Sequence, residues 1–304
     1  MVKISLVRKT NRRSTVSEVL NQLSNEIRAS VDSKAKQKGK KIEDLQVLLK
    51  PNFVCPSNPL SVTHIDAVRA ALDFFKDIFP QKILVAEGSG ACRDQMHAFH
   101  QFGYDKLVEE YNIELFNLNA DDFETLKIFN RDFEQDVEIK FSKTCLSADY
   151  IISLTLPKTH DTVIVTLGWK NVIMGCPIWA GEANQKVLMH QSITAMHKNL
   201  FEVGKRLHPD LTILDGWEAM EGNGPCDGTK VDWKIAIAST DFLAADIFCA
   251  EMMGVNYDCV DYLKMGAEAG LGEWNLDKME VVGNIASSEI KRNFKLHDGF
   301  ACAR

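Results

Sequence analysis

At 304 residues, with 45% hydrophobic and 25% charged side chains, the chain is long enough to bury a sizeable apolar core. Its 35 basic and 42 acidic residues leave a net charge of −7, a poor balance for holding a polyanion, so nucleic acid is not expected as a partner. No apolar run approaches the roughly 18 residues of a membrane span. The start, MVKISLVRKTNRRS, lacks the order of a secretory leader. A cytoplasmic protein without membrane contacts is expected.

The segment VKISLVR reads as a strand, and a helix is expected over 15–37, with Val16, Val19, Leu20, Leu23, Ile27 and Val31 on one face and Gly39 ending it. LQVLL (45–49) is a strand closed by Lys50-Pro51-Asn52. The helix after it repeats Ile65, Val68, Leu72, Phe75 and Phe79, and Thr63 with Asp66 resembles its capping box. KILVAEGSG (82–90) is another strand running into a glycine turn, followed by a helix over 94–110.

IELFNL (113–118) is a strand, and the alternation over 126–141 suits a hairpin. DYIISLTLP (149–157) is a buried strand ended by Pro157, and a helix is expected over 189–206. DLTILDG (210–216) and KIAIAST (234–240) are strands around a long acidic loop. Helices at 241–253 and 258–269 and a last strand at 279–283 complete the pattern. This rhythm predicts an α/β fold: a largely parallel sheet with flanking helices in three layers, with two lobes around a central cleft. No repeat or linker divides residues 1–304, and a lobe boundary is placed near 165.

Eight cysteines are scattered with no pair at C-x-x-C spacing, so most are read as small buried thiols and no local metal knuckle is expected. In a parallel sheet the loops leaving the carboxyl ends of strands gather at one edge, where ligands bind. Four such loops here are polar: Lys50-Pro51-Asn52 through His64, Glu87 through Arg93, Lys158-Thr159-His160, and Asp215 through Gly228.

Backbone amides of Gly88, Ser89 and Gly90 suit an anion, and Arg93 offers a planar fork for a carboxylate or phosphate. Asn52 and Lys158 would help to orient the same anion. Asp215, Glu218, Glu221 and Asp227 are candidate hard oxygen ligands, with a solvated loop as the competing reading.

The densest stretch is LPKTHDTVIVTLGWKNVIMGCPIWAGEANQKVLMH, residues 156–190, which mixes buried-type side chains with Lys158, His160, Lys170, Lys186 and His190. A buried lysine has a lowered pKa and serves as a base or a covalent attachment point. A neutral imidazole binds metal or moves protons. His160, Lys170 and Lys158 are therefore the expected catalytic residues, and His190 with His160 the expected metal ligands.

LLKPNF, VAEGSG, ADYIISLTLPKTH with GWKNVIMG, KVLMH, and LDGWEAMEGNGPCDG before ASTDFLAADIFCAEMMG together resemble the family catalogued as domain of unknown function 362, across most of residues 45–283. Many members of that family carry an added ferredoxin-type module, for which this chain has no cysteine pattern. The resemblance therefore points to an external iron–sulfur partner.

More distantly, the 156–190 segment resembles the lactate racemase family, which holds a covalently attached nickel-pincer nucleotide. That likeness implies His160 as a proton-transfer base, Lys170 as the attachment point and His190 as a metal ligand. Trp169 stands where that family has a glycine.

The expected function is a metal- or cofactor-dependent enzyme, an oxidoreductase or isomerase, acting on a small anionic substrate. Lys170, Asn52, Gly88, Ser89, Gly90 and Arg93 would bind the cofactor. The alternative is a non-catalytic module that binds an anionic cofactor or metabolite and works with a redox protein partner.

Overall fold

The computed structural model describes residues 1–300. In chain order the elements are β1 (Val2–Val7), α1 (Arg12–Asn21), α2 (Ser24–Lys38), β2 (Val47–Lys50), α3 (Ile65–Phe75), β3 (Ile83–Glu87), α4 (Gln95–Gln101), α5 (Asp105–Glu110) and β4 (Ile113–Asn117). Then follow β5 (Phe123–Ile128), β6 (Val137–Ser142), α6 (Lys143–Ser147), β7 (Tyr150–Thr155), β8 (Lys158–His160), β9 (Ile164–Thr166) and α7 (Gly168–Gly175). The chain closes with β10 (Trp179–Ala180), β11 (Ala183–Asn184), α8 (Ile193–Gly204), β12 (Leu211–Glu221), β13 (Thr229–Ser239), α9 (Phe242–Met252), α10 (Asp261–Glu268) and β14 (Met279–Gly283).

The main sheet runs β14-β1-β13-β12-β7-β2-β3-β4. Only β13 opposes the other strands of this path, pairing antiparallel with both β1 and β12. The central strands β7 and β2 are buried along their whole length, as continuous apolar runs covered on both faces must be. One core, containing Leu48, Ile151 and Leu214, packs under α7, α8, α9 and α10. The opposite core, containing Leu49, Ile152 and Ile213, packs under α1, α2 and α3. Successive residues of one strand thus feed different cores, which is the period-two pleat of a three-layer α/β structure. Residue 165 lies inside β9, which pairs with β8, and the sheet takes strands from both sides of that position.

Three expected features differ in detail. The apolar face over 15–37 is buried, but a turn at Gln22–Leu23 splits the helix into α1 and α2. Gly39 ends α2 at φ 63°, the left-handed conformation glycine adopts at low cost, and Lys40 N–H donates to the Ala35 carbonyl. The helix over 94–110 is likewise two, α4 and α5, separated by Gly103 at φ 73°. Thr63 does not cap α3; His64 Nδ1 accepts from the Asp66 amide at 3.1 Å, while Thr63 Oγ1 donates to the Leu154 carbonyl.

The largest departure is the acidic loop. Most of 215–232 continues β12 and β13 as one long hairpin, with only 222–228 turning. Several of its acids stand in ion pairs instead of a ligand cage: Asp215 with Arg12 at 2.9 Å, Glu218 with Arg12 at 2.8 Å, and Asp232 with Lys230 at 3.2 Å, while Glu221 accepts from the Lys295 amide at 2.9 Å. The expected hairpin over 126–141 is β5–β6. Among the described residues, no helix is long and apolar enough to cross a membrane.

Candidate functional site

α7 is the keystone of the site. It starts at Gly168, where a Cβ would lie 2.4 Å from Thr212 Cγ2, so no larger residue fits against β12. The carboxylate of Asp246, buried on α9, accepts from the Gly168 and Trp169 amides at 2.8 and 2.9 Å and satisfies the first N–H groups of α7. Trp169 is fully buried against Phe242 and Tyr262, over Gly204 and Gly266, where any Cβ would strike its ring. This tryptophan pins α7 to α8, α9 and α10. The next two residues, Lys170 and Asn171, turn to the other side and line a cleft.

The cleft has a volume of about 190 Å³. Asn52 from the loop after β2 lines it, with Glu87, Gly88 and Gly90 from β3 and its turn, His160 from β8, and Pro225 from the β12–β13 turn. Lys170, Asn171, Lys186 and His190 come from the 168–190 stretch. Four polar strand-end loops therefore meet at one place.

Lys50, Lys158, Lys170 and Lys186 are all buried at or beneath this cleft. Lys50 contacts the Glu87 carboxylate and donates to the Pro51 carbonyl at 2.9 Å. Burial pulls its amine down to about 7, while the Glu87 contact favours the charged form. Lys158 donates to Asn52 Oδ1, and burial, with the charges of Lys170 and Lys50, holds its pKa far below the ordinary value.

Asn171 ties the floor together. Its Oδ1 accepts from Asn52 Nδ2 at 2.9 Å, and its Nδ2 donates to Ser153 Oγ at 3.0 Å. Lys170 donates to Thr166 Oγ1 at 3.2 Å, and Lys186 to Asn119 Oδ1 at 2.9 Å and to the Pro177 carbonyl. Burial lowers both amines to about 7. Neither lysine has a carboxylate hydrogen-bond partner.

The two histidines differ in tautomer. His160 Nδ1 accepts from the backbone amides of Thr162 and Val163 at 3.0 and 3.3 Å, which leaves the ring proton on Nε2. Asp161, 3.1 Å from the same nitrogen, has its carboxylate engaged by Thr162 Oγ1. His190 Nδ1 lies 3.3 Å from the Lys186 carbonyl, which can only accept, so its proton sits on Nδ1 and Nε2 keeps a bare lone pair. Burial first, then the nearby Lys170 charge, lowers the pKa of both rings and so favours their neutral forms, His160 far more strongly.

Several expected site residues stand elsewhere. Arg93 is half exposed and pairs with Glu182, and it does not line the cleft. Ser89 is buried, but its hydroxyl donates to the Val54 carbonyl and its amide to Gln95 Oε1, so those groups hold the turn. Gly88 has a packing reason as well: its Cβ would lie 2.7 Å from both Asn119 Oδ1 and the Gly175 carbonyl. Lys158 lies beneath Asn52 and is not itself a lining residue. His197 accepts from the Tyr262 amide and stacks on its ring, away from the cleft.

Asn171 and Thr166 are cleft residues that sequence reasoning did not select, while Lys186 and Glu87 were singled out there without an assigned role. Asn171 and Lys186 lie in the same dense segment as Lys170. Glu87 was recognisable only as a carboxylate ending a buried strand.

Among the described residues, no three His, Cys, Asp or Glu side chains are grouped so as to hold a metal ion. The donors lining the cleft are the bare imidazole nitrogen of His190, the amines of Lys170 and Lys186, and the Glu87 carboxylate, which Lys50 already engages. That set does not fit a metal held by protein ligands alone.

Fold and site together define an α/β protein with a cleft of buried amines and neutral imidazoles at the carboxyl ends of its strands. The chain belongs to the DUF362 family, a domain of unknown function, whose model matches residues 47–251. It is 29% identical over 233 residues to the thylakoid-associated protein sll1697 of Synechocystis sp. (strain ATCC 27184 / PCC 6803 / Kazusa), across 75% of this chain and 68% of that one. Among solved structures it is similar to the lactate racemase apoprotein from Thermoanaerobacterium thermosaccharolyticum, at 14% identity and a TM-score of 0.48. That similarity covers 82% of this chain but only 56% of the racemase chain.

Proposed function

We propose that the cleft binds a small anionic substrate and that the protein is an enzyme of the isomerase or oxidoreductase class moving a proton on it, with a cofactor attached at Lys170. The observation that carries this reading is the pair of complementary imidazoles in one cleft. His160 offers a proton at Nε2, and His190 offers a lone pair at Nε2. A donor and an acceptor that both stay neutral are what general acid–base work at a carbon next to a carboxylate requires.

Lys186 supplies the charge for the anion, since Lys170 is taken up by the cofactor. A ligand carboxylate beside Lys186 would favour its ammonium form, so substrate binding and amine protonation are linked. Asn52 and Asn171 hold the floor on which the substrate rests. A cofactor on Lys170 would supply an electron-accepting centre that the side chains lack.

The test is incubation of freshly isolated protein with short carboxylic acids in deuterium oxide, beside intact-mass and metal analysis. The reading expects solvent deuterium in the recovered substrate, an adduct on Lys170, and loss of both in Lys170→Met. Ligand-dependent thermal shifts with neither deuterium exchange nor turnover would favour the binding module that works with a redox partner. Absence of shifts, exchange and adduct would remove both.

A further inference from the structure

Cys55 and Cys226 are joined by a disulfide although 171 residues separate them. Neither half is deeply buried. Each follows a residue that lines the cleft: Val54 precedes Cys55 on the loop after β2, and Pro225 precedes Cys226 on the β12–β13 turn. The bridge therefore fastens two separate walls of the site at its rim.

Apart from the disulfide, hydrogen bonds hold the 222–228 turn in place, among them the Gly222 amide to the Lys295 carbonyl at 2.6 Å. On one side Thr159 Oγ1 donates to the Gly222 carbonyl at 3.0 Å and the Asp161 amide donates to the Gly224 carbonyl at 3.1 Å. On the other side Asn58 Nδ2 donates to the Cys226 carbonyl at 2.5 Å. These bonds flank His160, and Gly224 packs so closely on β8 that a Cβ would meet the Thr159 carbonyl at 2.0 Å. The loop on the other side is firmly seated: Asn52 donates to Thr63 Oγ1 and Phe53 to Glu87 Oε1, both at 2.9 Å. The disulfide thus couples a hydrogen-bonded turn at the rim to a loop seated on the sheet.

We propose that Cys55 and Cys226 are a site of reversible oxidation, a covalent latch that controls access to the cleft. With the latch closed, Pro225 is held in the wall beside His160. With it open, the 222–228 turn is free to leave β8 and uncover the buried amines.

Opening needs a dithiol reductant. One reductant thiolate attacks a sulfur of the Cys55–Cys226 bond, which breaks as a mixed disulfide forms. The reductant's second thiolate then attacks its own sulfur in that mixed disulfide and displaces the protein sulfur still bound to it. In sum two electrons and two protons pass to Cys55 and Cys226, and the reductant leaves as its own disulfide. This inference rests on the proposed function only in taking the cleft as the site the latch serves.

The test uses the full chain in dithiothreitol or in oxidised glutathione, with peptide mass spectrometry after alkylation and backbone hydrogen exchange. Cys55 and Cys226 should alkylate together, and only after reduction. Reduction should speed exchange of 222–228 by about tenfold or more, as expected when a covalent restraint on local opening is removed. Acylation of Lys186 should rise with it. Cys226→Ser should behave as the reduced protein without dithiothreitol, and the reduced wild type supplies the same comparison if that variant does not fold.

Alkylation of either cysteine at full yield in oxidised glutathione overturns the proposal, as does exchange of 222–228 that is the same in both states. If carboxylates bind equally in both states and exchange does not change, the latch fails and the function stands. If exchange responds to reduction but no carboxylate binds, the function fails and the latch stands.

Discussion

His160 and His190 line one cleft with their protons on opposite ring nitrogens, Nε2 in the first and Nδ1 in the second, each fixed by the backbone group that meets Nδ1. Long-range nitrogen–proton NMR should therefore show one ring of each tautomer. Both should charge at a lower pH than a free imidazole, because burial and the Lys170 charge depress both pKa values. Midpoints at or above that of a free imidazole in both rings would contradict the donor–acceptor pairing.

Lys170 and Lys186 have folded pKa values near 7, against about 10.4 in an unfolded chain. Between these values the unfolded state binds more protons, so these amines make stability rise with pH from about 7 to 10. Anion binding should move the other way and weaken above pH 7 as the ammonium forms are lost. Denaturant midpoints and carboxylate titrations across this range check both signs. A flat stability profile in wild type that matches Lys170→Met/Lys186→Met would show that these amines titrate normally.

Removing one partner of the Lys50–Glu87 pair leaves an uncompensated charge where both side chains are buried. Lys50→Met is expected to cost about 3–5 kcal/mol, whereas Lys50→Met with Glu87→Met should recover much of that loss. Urea unfolding of the two variants measures the difference. Equal losses in both would mean that the pair is held for packing alone.

Trp169→Ala empties a socket lined by Phe242, Tyr262, Gly204 and Gly266 and should cost about 3–5 kcal/mol. Because α7 would lose its anchor, Lys170 should also acylate faster at fixed pH in the folded variant. A destabilised protein with unchanged Lys170 reactivity would show that Asp246 alone positions the helix.

Buried strands were the most legible part of the chain. VLLK and YIISLT are continuous apolar runs that only the interior of a parallel sheet accommodates, and their polar sequels meet where such a sheet opens. The lysines and histidines of 156–190 stood out because each is costly to bury.

What stayed hidden depends on pairing between distant residues. Arg93 looks like an anion clamp until Glu182 is seen beside it, and Asp215 and Glu218 look like ligands until Arg12 arrives from the far end of the chain. The Cys55–Cys226 bridge is invisible for the same reason, since no local spacing announces it. Glycines at 204 and 266 likewise make sense only once Trp169 rests on them.

The socket around Trp169 has a bearing on how this cleft would adapt to different molecules. Lys170 and Asn171 ride on a helix clamped from three sides, so that half behaves as a fixed jaw. The opposing half is made of the turns bearing Val54, Pro225 and Val187, where side chains can change size without disturbing either core. Selection for a new substrate would act on this adjustable jaw and leave the amine-bearing one untouched.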